Sequence, residues 1–409
     1  MTFITLKTFV SLSCTLLVVA GCRSGSSTDV SAGDAGPKEV LATKGKVLEA
    51  AENQADPDAG SKAVAAKDER IDISKGSFVA GSVPGDKGRD PVLEPAELEV
   101  DLGSFTIDRY LYPNDPTKPP VTGVSRAKAA EMCAQAGGRL CTELEWERAC
   151  KGPEETVYAG SSGWDPKCAK EPASCASGFG VLGMGSAFRE WTSSDVMPIE
   201  EMQPRAAAIR GAAASATSTD HRCAHRTAID PTANAQDLGF RCCRGAPNAA
   251  QIASPKWDQT YKRVEIAPSD LAEMFTSVPA LAALDKSFTY FKEPDDVNVV
   301  LARADAGAAP ANTVLTTSAL GWSPVPGEQL VVVAGRAGKD SFIVALHRLP
   351  KDRYRIASTL VLKDERGPIV LGFNGYVRKR LSWATCWDCR GESGHVTYRD
   401  DGRVVITQK

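Results

Sequence analysis

Arg139-Leu140-Cys141-Thr142-Glu143-Leu144-Glu145-Trp146-Glu147-Arg148-Ala149-Cys150 is the stretch whose reading decides the fold of this chain. The hydroxyl of Thr142 can cap a helix N-terminus, and Glu145, three residues on, completes a capping box. This spacing predicts a helix that begins at Thr142 and places Trp146, Ala149 and Cys150 on one face. The T-x-x-E element thereby has a structural role. A second helix is expected just upstream. Ser125 can cap a run that starts at Arg126 and stops before Gly137-Gly138. Ala129, Met132, Cys133 and Ala136 recur in it at helical spacing, so Cys133 faces a core.

Working outward, Ile71-Asp72-Ile73-Ser74-Lys75-Gly76-Ser77-Phe78-Val79-Ala80-Gly81-Ser82 reads as an opening strand and turn, and Phe105-Thr106-Ile107-Asp108-Arg109-Tyr110 as the next strand. Downstream stand Glu190-Trp191-Thr192, Arg226 and Gly239-Phe240-Arg241-Cys242. In this order the segments resemble the motifs of the formylglycine-generating (sulfatase-modifying factor) enzyme family. Those motifs are G-x-F-x-M-G-S, with Ala80 in place of Met; F-x-I-x-x-Y; R-L-P-T-E-x-E-W-E-x-A, with Cys141 in place of Pro; E-W-T; and G-F-R-C. The resemblance implies an α+β, C-type-lectin-like domain over residues 71–246, rich in loops and stapled by disulfides.

The N-terminus has the pattern of a secretion signal. Lys7 supplies a positive n-region, and the apolar run Thr8 to Ala20 is too short to span a bilayer as a helix. Val19-Ala20-Gly21-Cys22 follows and resembles a bacterial lipobox, which implies a lipidated Cys22 as the mature N-terminus. Arg23, rather than Asp, after that cysteine points to the outer membrane. Residues 23–70 are rich in Ser, Gly, Ala, Asp and Lys and cannot bury enough surface to offset their ordering entropy, so they read as a flexible tether. Net charge is −3, with 48 Lys+Arg against 51 Asp+Glu, which gives no basic footprint for nucleic acid. The densest basic run, Arg378-Lys379-Arg380, reads as a solvated strand face.

The chain has 12 cysteines. Cys14 leaves with the signal and Cys22 takes lipid. The remainder is even in number and lies in an oxidising compartment, which favours complete pairing. The family resemblance implies Cys133–Cys242 and Cys150–Cys223. Adjacent strand residues point to opposite faces, so Cys242 and Cys243 serve different partners, which leaves Cys243 for Cys141. Cys168 and Cys175 enclose a short loop and are expected to pair.

The chemistry of the family is less evident than its fold. Its enzymes oxidise a substrate cysteine to formylglycine with two cysteines that bind copper(I). The corresponding stretch here, Arg210-Gly211-Ala212-Ala213-Ala214-Ser215-Ala216-Thr217-Ser218-Thr219-Asp220-His221-Arg222, contains no cysteine, and Cys223 aligns with a structural cysteine. Ala, Ser and Thr cannot replace the soft thiolates that select copper(I). No cofactor is expected. Calcium is the one ion the resemblance allows, and its site looks degraded, because Ala187 stands for a ligand asparagine and Arg189 for the neighbouring Trp. A related branch of iron enzymes needs three histidines. Here His221 and His225 have i,i+4 spacing without an evident third ligand.

Residues 258–409 read as a β-rich, mostly antiparallel domain of no evident family. A short helix capped by Ser269 runs to Phe275. Strands follow at Gln329 to Ala334, Phe342 to Leu349, Arg353 to Leu362, Ile369 to Phe373, Tyr376 to Trp383 and Val396 to Tyr398, and Asp401-Gly402 signals a hairpin into Val404-Val405-Ile406. Cys386-Trp387-Asp388-Cys389 is the one chemical motif. A thiol oxidoreductase would want it at a helix N-terminus, but a Gly-containing loop follows, so a local disulfide is the expectation. A zinc site would use His395 as a third ligand and lacks a fourth. The combined reading is a non-catalytic, lipid-anchored envelope protein that presents a lectin-like surface to a protein or glycan. The competing class is an enzyme, either a divergent formylglycine-type oxidase or a thiol oxidoreductase that uses Cys386 and Cys389.

Overall fold

The structure is a computed structural model that describes residues 69–197, 205–257, 262–284, 288–290, 313–316, 320–365, 368–374, 376–385 and 392–409. The signal segment with Cys22, nearly all of the tether, and Cys386 and Cys389 lie outside the described residues.

Helix α1 spans Arg126–Gln135, and Ser125 accepts a hydrogen bond from the Lys128 amide at 3.3 Å. Gly137 then takes a φ of +72°, which ends the helix. Helix α2 spans Glu143–Lys151 behind a complete Thr142–Glu145 capping box. The expected apolar face is present, since Trp146, Ala149 and Cys150 are all inaccessible. The remaining faces of α2 are buried as well, including Glu143, Glu145, Glu147, Arg148 and Lys151. A helix that charged is normally a surface helix. Here it runs through the interior, because each charge meets a partner there.

Around these helices lie two four-stranded sheets. One orders Arg70–Ile73, Phe105–Asp108, Cys242–Arg244 and Arg139–Leu140, all antiparallel. The other orders Arg226–Ile229, Ala206–Gly211, Arg189–Val196 and Leu238–Phe240, the last pair parallel. A two-stranded ribbon pairs Gly76–Ala80 with Leu98–Leu102.

The C-terminal region is a two-sheet stack backed by helices. The larger sheet runs Lys262–Arg263, Leu320–Trp322, Leu330–Ala337, Asp340–Leu349 and Arg353–Leu362, and Phe288–Tyr290 also pairs with Leu330–Ala337. The smaller runs Thr313–Thr316, Val370–Asn374, Arg380–Ala384, Ser393–Tyr398 and Val404–Gln408. All their pairings are antiparallel. Val332, Ala334 and Ile343 face Leu371, Trp383 and Val396 across the stack. Val331, Val333 and Phe342 face the other way, onto Leu271, Phe275 and Leu281 of two short helices. Both faces of the central strands are therefore covered.

Two expectations are corrected in this region. Ser269 does not cap its helix, which spans Pro268–Phe275 with Ala267 at the N-cap. Proline has no amide to satisfy and suits the first helical position. The strand expected from Tyr376 begins instead at Arg380. Residues 376–379 form a turn, closed by the Val377 amide on the Asn374 carbonyl at 2.9 Å and the Arg380 amide on the Val377 carbonyl at 3.2 Å.

Residues 63–409 form one compact unit. At its centre Arg89 donates to Glu328 at 2.8 Å, and Glu328 meets His347 Nδ1 at 2.8 Å. The Arg89 and Glu328 side chains are each 2% exposed. Around this buried group three cations from the strand Arg353–Leu362 and the turn before it pair with carboxylates of the N-terminal region. Lys351 pairs with Glu99, Arg353 with Glu97 and Arg355 with Asp86. Gly327, at a φ of +77°, permits the approach, since a Cβ there would stand 1.8 Å from the Pro91 carbonyl oxygen.

Candidate functional site

The signature stretch builds a lattice of buried ion pairs. Glu143 accepts from Arg226 Nε at 2.5 Å and from its Nη2 at 2.8 Å, and also from Arg210 at 3.1 Å. Glu147 meets Arg210 at 3.0 Å and Lys151 at 3.0 Å, and accepts the Gly81 amide at 2.6 Å. Burial pushes the Glu147 carboxyl up, but Lys151 and Arg210 more than reverse this, so it ionises below the usual carboxylate range. Glu145 is likewise pushed up by burial and pulled further down by two hydrogen bonds from Arg139 and one from the Thr142 amide.

The other motif residues join the same framework. Arg241 of Gly-Phe-Arg-Cys donates to both oxygens of Glu190, at 2.7 and 2.9 Å. Trp191 donates its indole N–H to the Val124 carbonyl, and Thr192 its hydroxyl to the Ala208 carbonyl. Phe240 stacks on Tyr112 with centroids 4.9 Å apart. These residues hold the fold together, and their side-chain functions are spent on one another.

Disulfides join Cys133 to Cys242, Cys141 to Cys243, Cys150 to Cys223 and Cys168 to Cys175. These are the pairs read from the sequence. The opposed faces of Cys242 and Cys243 follow from the strand they share. Cys242 sits opposite Leu140 and Cys243 opposite Arg139, yet their sulfurs go to Cys133 of α1 and to Cys141 respectively. The region 69–257 should therefore show no free thiol. Alkylation without reductant, followed by peptide mapping, checks this, and stoichiometric labelling of any of the eight would contradict it.

Between Gly211 and Arg222 the backbone leaves a strand at Gly211 and forms a single 3-10 turn, Ser218–His221, capped by Thr217 and Asp220. His221 is therefore not on an α-helix, and the i,i+4 relation to His225 loses its meaning for metal binding. The His221 ring is buried, hydrogen-bonded through Nδ1 to the Gly185 carbonyl at 2.8 Å, and stacked on Trp164 at 3.8 Å. His225 is half-buried. Burial lowers its pKa, and its Nδ1 has no hydrogen-bond partner among the described residues. Among the described residues no group of three His, Cys, Asp or Glu is placed to share a metal ion. His395 stands near Ser382, at 3.4 Å.

Ala187 offers no side-chain oxygen to calcium. Arg189 brings a guanidinium to that neighbourhood and donates to both oxygens of Asp237, each at 2.7 Å. These two positions do not fit the ion.

Residues 111–246 match the model of the sulfatase-modifying factor enzyme 1-like domain. The chain carries a sulfatase-modifying factor-like domain. The opening strands at Arg70–Ile73 and Gly76–Ala80 precede the matched residues, and the sulfatase-modifying factor-like domain is one part of a longer compact unit. No curated protein matches the sequence. Solved structures similar to the chain include PvdO from Pseudomonas aeruginosa, at 18% identity and TM-score 0.35 over 43% of this chain and 94% of that one. CarF is similar at 17% identity and TM-score 0.35 over 44% of this chain and 99% of that one. Variable protein 1 of Treponema denticola is similar at 14% identity and TM-score 0.32 over 42% and 94%.

The buried partners of the signature carboxylates are what sequence reading missed. The T-x-x-E spacing explains one carboxylate through its capping role. Glu143 and Glu147 flank it at i−2 and i+2, and only their distant partners Arg210 and Arg226 account for them.

Proposed function

We propose that this is a non-catalytic, lipid-anchored protein of a bacterial envelope, whose sulfatase-modifying factor-like domain presents a binding surface to a protein or glycan. The observation that carries this reading is the state of the cysteines. All eight in the described residues are joined in disulfides, and the stretch Gly211 to Arg222 has none. No thiolate pair remains there to hold copper(I). The family signature itself is occupied by the Glu143–Arg226 and Glu147–Arg210 contacts, and the positions read for calcium carry Ala187 and Arg189. Neither ion has a role in this reading.

The catalytic part is tested by incubating the protein with copper, oxygen and a sulfatase-type peptide containing cysteine. No aldehyde product is expected above the protein-free control, and its appearance by mass spectrometry would overturn the proposal. The anchor is tested by fractionating wild-type and Cys22→Ala cells. Wild type should sediment with membranes, while the variant should become soluble or remain unprocessed. A wild-type protein that is itself soluble would refute the anchor while leaving the non-catalytic reading in place.

A further inference from the structure

We infer that the turn formed by residues 376–379 is a membrane-contacting tip that docks on anionic phospholipid. The whole chain is slightly acidic, with a net charge of −3. This end of the smaller sheet has the opposite character. Arg378 and Lys379 stand on the turn, Arg380 opens the strand that leaves it, and Arg399 and Arg403 stand on the turn beside it with Asp400 and Asp401, of which Asp401 pairs with Arg403; all are exposed. The two turns are joined by the Tyr398 amide on the Lys379 carbonyl at 2.8 Å and by the ion pair of Lys379 with Asp400 at 2.6 Å.

Two apolar side chains crown the same turn. Tyr376 is 80% exposed and Val377 38% exposed. Both belong to the few large apolar residues that the described protein leaves in water, and they are adjacent. An aromatic ring with a polar tip beside long cationic side chains suits the lipid headgroup level, where the ring enters the interface and the cations meet phosphate. The tip is held in shape from below. Arg378 lies over the Trp257 ring at 4.4 Å, and its carbonyl accepts the Trp322 indole N–H at 3.1 Å. The Tyr376 amide donates to the Asn374 side chain at 2.9 Å. The surface is thus presented ready-made, with little ordering cost on binding.

The test uses residues 63–409, the compact unit, so that neither the signal segment nor any lipid on Cys22 contributes. Failure here leaves the anchor proposal untouched. The protein should co-sediment with phosphatidylcholine vesicles that contain phosphatidylglycerol, release in high salt, and ignore pure phosphatidylcholine. Lys379→Glu with Arg380→Glu should weaken binding by about tenfold or more. Tyr376→Ser with Val377→Ser should weaken it severalfold at unchanged charge. The equal charge reversal Lys167→Glu with Lys170→Glu, at exposed positions of the short helix Lys167–Lys170, should change it little. The inference is overturned if anionic vesicles do not bind the protein, or if the control reversal weakens binding as much as the reversal at the tip. Retention on a soluble polyanion without vesicle binding would also overturn it, in favour of a polyanion partner.

Discussion

Replacing Glu143 with Ala should destabilise the protein by about 3–5 kcal/mol, the cost of leaving a buried charge without its partner. Glu143 is 2% exposed and receives Arg226 and Arg210, which are 3% and 0% exposed at their side chains. Removing the carboxylate leaves two guanidinium groups against one remaining acid, Glu147. The double substitution Glu143→Met with Arg226→Met should cost less than Glu143→Ala alone, because the pair is removed together and Arg210 keeps Glu147. Urea unfolding of the three proteins measures this. If Glu143→Ala costs under about 1 kcal/mol, the pair behaves as a surface bridge and the account of the signature as a folding lattice is wrong.

Glu328→Ala should produce a loss of similar size, about 3–5 kcal/mol, and act on the union of the two regions. It strands Arg89, which is buried beneath Gly327 and Glu94 and donates to both of their carbonyls, and it removes the partner of His347. Melting should then become biphasic, with the C-terminal sheets losing their seat on the sulfatase-modifying factor-like domain. Arg353→Ala serves as the comparison. Its pair with Glu97 lies at the rim, 54% exposed on the arginine side, so its loss should cost less than about 1 kcal/mol. Equal effects of the two substitutions would show that the buried group does not govern docking. The same geometry bears on a fragment cut near Pro255. Such a fragment would carry Glu328 without Arg89 and leave it only His347 as a partner.

The stretch from Arg139 to Cys150 and its distant companions were enough to place the domain. Capping chemistry and helical spacing act between neighbours, so Thr142, Glu145 and Ser125 declare their roles locally. Long-range closure by the cysteines was legible by a different route. Cys133 and Cys242 are 109 residues apart, and no local signal joins them; their pairing was legible only through the family resemblance. The absence of thiols between Gly211 and Arg222 was equally plain from the sequence, and it bears most directly on chemistry.

Other features needed the assembled structure. A buried and a solvated carboxylate look alike in a sequence, so residue type and local spacing did not show that Glu147 is inaccessible while Glu154 is exposed. What separates them is whether Arg210 arrives from another strand. Continuous apolar runs such as Leu330 to Ala334 lack the alternation of a one-sided sheet. Only the presence of a second sheet on one face and helices on the other explains them. The basic run at 378–380 read as a strand face because its spacing is compatible with one. The run is solvated as read and Arg380 is on a strand, but the hydrogen bonds of Asn374 and Val377 place Arg378 and Lys379 in a turn. In sequence, local chemistry is visible wherever a residue acts on neighbours within a turn of helix. The environment of a charge depends on groups dozens to hundreds of residues away, and the folded chain alone brings these together.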